Sequence, residues 1–142
     1  MTDLQPVRKE VVVDGAPDEA FELFTAGVGK WWPTATHSLF GEASRAQIEP
    51  RVGGRFYEIG PDGDEAVWGS VVAWDPPQRF ATTWHVGREP SDAQTVEVSF
   101  ADAGDGRTRV VLVHSGWTAA DADMRSNYDT GWDAVLAKFT AG

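Results

Sequence analysis

Between residues 46 and 114 the chain is cut by turn residues into short segments rich in β-branched and aromatic side chains. The segments are residues 46–49, 55–59, 66–74, 79–86, 95–100 and 107–114. Their separators are Val52-Gly53-Gly54, Gly60-Pro61-Asp62-Gly63-Asp64, Asp75-Pro76-Pro77, residues 87–93 and Ala103-Gly104-Asp105-Gly106. Parallel neighbours need crossovers of about a dozen residues or more, so connections this short predict an antiparallel meander. Upstream, residues 7–13 (VRKEVVV), closed by Asp14-Gly15, read as a further strand. Ala16-Pro17-Asp18-Glu19 then opens a helix, with proline near the first turn and two carboxylates where the helix dipole favours them. Gly27 and Gly29 are expected to break it, Lys30-Trp31-Trp32 to form a short second helix stopped by Pro33, and residues 34–44 to be loop.

The C-terminal segment has a helical period. Met124, Tyr128, Trp132, Val135, Leu136 and Phe139 fall on one broad face, and Arg125, Asp129, Asp133 and Lys138 on the other. Strand, helices, six strands and a long helix make an α+β pattern, a sheet packed against a helix, within one domain spanning residues 1–142.

Strand parity sorts inward from outward residues. Phe80, Thr82, Trp84 and Val86 share a face, as do Val96, Val98 and Phe100, and Val110, Leu112 and His114. His114 is therefore a polar group among apolar walls, either a ligand contact or general acid/base, or a core-edge histidine satisfied by a backbone carbonyl. Glu58, two residues from the inward Phe56, is either an inward carboxylate partnered by Arg55, Arg79 or a ligand, or a strand-end group that reaches water.

Charge excludes some partners. With 12 Lys and Arg against 22 Asp and Glu, the chain cannot easily assemble the basic face that nucleic acids or anionic membranes need. It has no cysteine, no leader-like segment before Val7 and no apolar run of membrane-span length, so a cytoplasmic protein is expected. Gly27-Val28-Gly29-Lys30 lacks the spacing and leading strand of a phosphate loop, and Asp62-Gly63-Asp64-Glu65 lacks that of a calcium loop. His37, His85 and His114 are far apart, so no metal is expected, and Ser115 beside His114 is no nucleophile elbow, which argues against a serine hydrolase; no cofactor is expected. Seven tryptophans in 142 residues mean either a heavily aromatic core or a ligand site.

Residues 11–17, Ala20-Phe21, Trp31-Trp32-Pro33, Gly53-Gly54-Arg55-Phe56, Gly69-x-Val71, Trp74-Asp75-Pro76-Pro77, Thr83-Trp84 and Gly131-Trp132-x-x-x-Leu136 occur in an order that covers nearly the whole chain. In that order they resemble the bacterial relatives of the activator of heat-shock-protein-90 ATPase, within the START-like, Bet v allergen-like (SRPBCC) superfamily. The resemblance implies a helix-grip fold. In that fold a curved antiparallel sheet of six to seven strands wraps a long C-terminal helix, two short helices follow the first strand, and a cavity lies between sheet and helix. It also implies hydrophobic, lipid-like or polyketide-like ligands for the superfamily, cyclase or dehydratase activity in a few members, and a chaperone partner for the eukaryotic activator.

Three functions are consistent with these readings. The first is binding of an apolar or aromatic small molecule, with Trp31, Trp32, Phe56, Trp68, Trp84, Trp117, Tyr128 and Trp132 as candidate walls and His37, Glu58 and His114 as orienting groups. The second is an enzyme in which Glu58 or His114 moves a proton on such a ligand. The third is a regulatory or chaperone-linked domain that docks a protein partner through its acidic surface.

Overall fold

The computed structural model describes residues 4–34, 36–86 and 94–141. Its elements are β1 (Val7–Asp14), α1 (Pro17–Phe24), α2 (Val28–Trp31), β2 (Arg45–Ile48), β3 (Arg55–Ile59), β4 (Glu65–Asp75), β5 (Arg79–Trp84), β6 (Gln94–Gly104), β7 (Arg107–Ser115) and α3 (Ala122–Ala141). A 3-10 turn, Ala119–Asp121, leads into α3. The connection expected at residues 87–93 lies outside the described residues.

The strands form one seven-stranded sheet in the order β1-β7-β6-β5-β4-β3-β2, antiparallel at every pair. β2 to β7 are the expected meander. β1 pairs with the last strand, from Val7 opposite His114 to Asp14 opposite Arg107, so α1 and α2 carry the chain from one sheet edge to the other. The sheet curls into a half-barrel around α3, the helix-grip arrangement.

Two irregularities in β4 mark where the curl is built. Phe56 pairs with Gly69 but Tyr57 with Val67, which leaves Trp68 as the extra residue; Val72 is skipped in the same way against β5. A bulge bends the strand and re-aims the side chain at it, and Trp68 is fully buried. At Gly69 the neighbouring strand comes so close that a Cβ would stand 1.7 Å from the Thr83 carbonyl oxygen. Only glycine permits that approach.

Burial follows the parity expected of β6 and β7, with Val96, Val98, Phe100, Val110, Leu112 and His114 all buried. Element ends differ from the reading of periodicity. β5 ends at Trp84, opposite Gln94, and the next residue, His85, donates its N–H to Trp68 O at the bulge. β6 continues to Gly104 through residues 101–104, where Ala101 and Asp102 still pair with β7 although they face solvent. Gly29 does not break a helix. It lies inside α2, where a Cβ would meet Ala46 O at 2.9 Å, so glycine there lets α2 approach β2.

On α3, Trp132, Val135, Leu136 and Phe139 are buried and Met124 and Tyr128 half-buried. Its polar face is tied to β1, where Lys9 Nζ stands 2.8 Å from Asp129 and 3.1 Å from Asp133. α1 closes one end of the grip, with Phe21 and Phe24 packed against Phe80 and Phe100. Gly69→Ala should destabilise the fold by about 3 kcal/mol or more, because the new methyl overlaps backbone that cannot move without breaking the β4–β5 pairing. Urea unfolding measures this, and a midpoint close to wild type would show that the approach of β5 to Gly69 is not as tight as described.

Candidate functional site

Four tryptophans from four parts of the chain converge between sheet and helix: Trp32 after α2, Trp68 at the β4 bulge, Trp84 at the end of β5 and Trp132 on α3. Their ring centroids lie 5.1 Å (Trp32 to Trp68), 5.8 Å (Trp68 to Trp84), 5.3 Å (Trp84 to Trp132) and 5.9 Å (Trp32 to Trp132) apart. With Val135 they wall a cavity of about 210 Å³, whose mouth is formed by His37, Val86, Asn127, Tyr128 and Gly131.

An indole has one polar atom, a donor, and each of the four is already bonded inside the protein. Trp32 Nε1 donates to His37 O (2.8 Å), Trp68 Nε1 to Glu58 Oε1 (2.9 Å), Trp84 Nε1 to Tyr128 Oη (3.0 Å) and Trp132 Nε1 to His114 Nδ1 (3.0 Å). The tryptophan walls therefore turn only ring surface toward the cavity. Such walls offer dispersion and π contacts to a ligand and no hydrogen bond.

His114 supports this wall from behind. It is fully buried, accepts from Trp132 at Nδ1 and pairs with Gln94 Oε1 at Nε2 (3.0 Å). Because the indole can only donate, Nδ1 carries no proton, so Nε2–H is the donor to Gln94. Trp117 lies against the imidazole at 4.3 Å between centroids and donates Nε1–H to His114 O. Neither His114 nor Trp117 lines the cavity. Of the two readings of His114, this geometry agrees with the satisfied core histidine, although its ring partners are the side chains of Gln94 and Trp132 and not a backbone carbonyl.

Glu58 is also fully buried and outside the cavity lining. Its expected partners Arg55 and Arg79 are committed elsewhere, Arg55 to Glu49 and Glu65 and Arg79 to Asp75 and Glu97. Its carboxylate instead accepts from Leu39 N (2.6 Å) and Trp68 Nε1 (2.9 Å) at Oε1, and from Ser44 Oγ (2.5 Å) and Phe40 N (3.2 Å) at Oε2. Desolvation opposes the charge, but the bonds from Ser44, Leu39, Trp68 and Phe40 outweigh it and hold the carboxyl below its ordinary range. With four donors occupying it, Glu58 is a structural anion and not a proton carrier for the cavity.

Of the other expected site residues, Trp31 donates to Leu23 O and packs on Phe24 and Phe139, away from the cavity. Phe56 sits behind Trp68 and Trp84 without reaching the lining. The structure thus gathers Trp32, His37, Trp68, Trp84, Tyr128 and Trp132 at the cavity. It adds Val86, Asn127, Gly131 and Val135, which sequence reasoning did not name as site residues. A signal existed for Gly131: glycine inside a helix costs about 1 kcal/mol relative to alanine, and so invites the question of what approaches it. What approaches it is His37, whose Nε2 lies 3.6 Å from where a Gly131 Cβ would be.

Among the described lining residues, only His37 and Tyr128 titrate. Burial lowers the His37 pKa from its ordinary 6.5, so the ring is neutral at pH 7. Its Nδ1 is 2.7 Å from Thr36 Oγ1, a hydroxyl able to give or take that bond, so either tautomer can be accommodated. No three His, Cys, Asp or Glu side chains gather to hold a metal among the described residues, and no described helix is long and apolar enough to cross a membrane.

The profile of a family described as "Activator of Hsp90 ATPase homolog 1-like protein" matches residues 14–141. Among solved structures, an anthrahydroquino-gamma-pyrone synthase, Txn09, complexed with SUM, is 40% identical, with TM-score 0.58 over 80% of this chain and 79% of that one. Protein MLL2253 from Mesorhizobium loti is 18% identical, with TM-score 0.72 over 96% and 95% of the two chains. The Aha1 dimer from Colwellia psychrerythraea is 17% identical, with TM-score 0.69 over 96% and 94%. The last two share the fold. No curated protein sequence matches.

The Glu58 carboxyl binds its proton less tightly in the folded chain than in the unfolded one. Its contribution to stability is therefore complete above the ordinary value of 4.5 and is lost as the pH falls through the lowered folded value. Glu58→Gln should lose less stability than wild type between neutral and acidic pH. Glu49 and Asp129, also lowered by cationic partners, remain in both proteins and cancel in the comparison. Parallel plots of unfolding free energy against pH would contradict this assignment.

Proposed function

The chain belongs to the activator of Hsp90 ATPase homolog 1-like family, and on that footing we propose that it binds one end of a planar, aromatic, polyketide-like molecule between its tryptophan walls and performs cyclase-type chemistry at the mouth. The observation that carries the reading is the cavity itself, with ring surface on its walls and titratable groups at its mouth. Its size limits what enters. An apolar cavity of about 150 Å³ takes up benzene, and sites for whole drug-sized ligands run from about 300 Å³ upward. At about 210 Å³ this one encloses part of a polycyclic molecule and leaves the rest among His37, Asn127 and Tyr128.

Ring closure by addition of a hydroxyl across an activated carbon–carbon multiple bond moves one proton from oxygen to carbon and requires no redox partner. Neutral His37 is the group placed to carry that proton, taking it as the C–O bond forms and delivering it to the carbon. The 40% identity to an anthrahydroquino-gamma-pyrone synthase supports a synthase-type activity. The chaperone-partner reading rests on the family description, whereas the cavity favours a small molecule.

Titration with 1,8-dihydroxyanthraquinone should quench tryptophan fluorescence saturably. Gly131→Leu gains about 0.5–1 kcal/mol of helix propensity, which offsets part of the cost of displacing His37, whose Nε2 lies 3.6 Å from a Cβ there, while the leucine side chain fills the mouth. Binding should then weaken at least about tenfold, the equivalent of about 1.4 kcal/mol. Equal affinity in the folded Gly131→Leu protein would remove the cavity from the proposal.

A further inference from the structure

The geometry points to Glu58 as a positioning residue that latches the loop bearing His37 over the cavity mouth and couples that loop to the Trp68 wall. Residues 36–44 have no regular secondary structure. Ser44 N to Gly41 O and Gly41 N to Ser38 Oγ close within the segment, and the amides of Leu39 and Phe40 find their partner outside it. Burial of the loop's own side chains does little to hold it: Leu39 is 49% exposed and Phe40 38% exposed, although one edge of the Phe40 ring lies against Gly60. The polar hold is stronger. Consecutive amides of the loop, Leu39 N and Phe40 N, both donate to Glu58, and Ser44 Oγ closes the same carboxylate from the loop's far end.

These bonds bear on the cavity because of what else they join. Oε1, which takes Leu39 N, also takes Trp68 Nε1, so one oxygen links the mouth loop with a wall ring. On the other side of the loop, Trp32 Nε1 donates to His37 O. His37 N also donates to Pro33 O, and Ser38 Oγ to Thr34 O, at the start of the loop. Beyond that turn His37 lies between two bonds that end on wall tryptophans, and it stands against Gly131 of α3. A charged group suits this role because hydrogen bonds to an ionised acceptor are roughly twice as strong as neutral ones. A glutamine of the same shape accepts through one oxygen only and turns its NH₂ toward groups that are themselves donors.

The consequence for the ligand rests on the small-molecule reading above, whereas the latch is a statement about His37 and can be tested without any ligand. Side-chain NMR of His37 follows its titration, and fluorescence quenching by 1,8-dihydroxyanthraquinone follows the mouth. In Glu58→Gln the loop should release His37 toward solvent, and its titration midpoint should rise toward the ordinary 6.5. Affinity for the probe should fall at least about tenfold, expressed mainly as faster dissociation. Ser44→Ala removes one of the four bonds and keeps the charge, so it should move both readouts in the same direction by a smaller amount. A purely structural role would lower the melting temperature and leave the His37 midpoint in place.

If folded Glu58→Gln and Ser44→Ala both keep the wild-type midpoint, the latch is overturned. Should Glu58→Gln fail to fold, Ser44→Ala decides by the same midpoint. If the midpoint moves as expected but the wild-type protein does not bind the probe, the latch stands and the small-molecule reading falls.

Discussion

A tryptophan can wall a cavity only if its single polar atom is bonded somewhere else. Four N–H groups meet that condition here, and each bond reaches a different part of the fold: the loop after α2, strand β3, helix α3 and strand β7. Because indole only donates, every acceptor is also constrained. His114 must keep Nδ1 unprotonated, Tyr128 must receive at its oxygen, and Glu58 accepts with a charge. The buried polar groups that look like catalytic candidates are those that hold the rings in place. Partly satisfied, such a network would be worse than an apolar core, and no described buried side-chain polar atom lacks a partner.

The architecture was largely legible because it is written in local signals. Turn residues between short β-branched segments imply the meander, and a 3.6-residue period gives the α3 face. Parity also placed Val96, Val98, Val110, Leu112 and His114 inward, since a period of two fixes sidedness without reference to partners. The pairing of β1 with β7 joins residues about a hundred positions apart, and no local signal encodes it. Gly29 misled because a glycine near a helix end reads as a breaker, whereas here it answers to the Ala46 carbonyl on another element.

The site was half legible for the same reason. Six expected residues meet at the cavity: Trp68 and Trp84 from the inward face of the sheet, Tyr128 and Trp132 from the facing side of α3, and Trp32 and His37 from the segment after α2. Trp31, Phe56 and Trp117 are equally buried and equally aromatic, and only tertiary placement sets them behind the wall instead of in it. Glu58 and His114 were recognisable as inward polar groups, but neither an arginine partner nor contact with water, two of the alternatives open for Glu58, is what satisfies it. Two backbone amides, a hydroxyl and an indole satisfy the charge, and a loop's amide donors leave no trace in side-chain patterns.

The internal use of the indole donors also bears on selectivity. A site that hydrogen-bonds its substrate rejects an analogue lacking the matching group by about 10⁴-fold or more, whereas an apolar slot discriminates one added group by only about 10²-fold. Walls whose N–H groups are all spent on the protein cannot read the pattern of hydroxyls on the rings they enclose. They register thickness and outline. For the planar ligand proposed above, such walls would tolerate differently placed substituents and leave discrimination to the few polar groups at the rim. Changes of substrate preference among related chains would then arise on the loop of residues 36–44 and the facing turn of α3, with the aromatic interior left as it is.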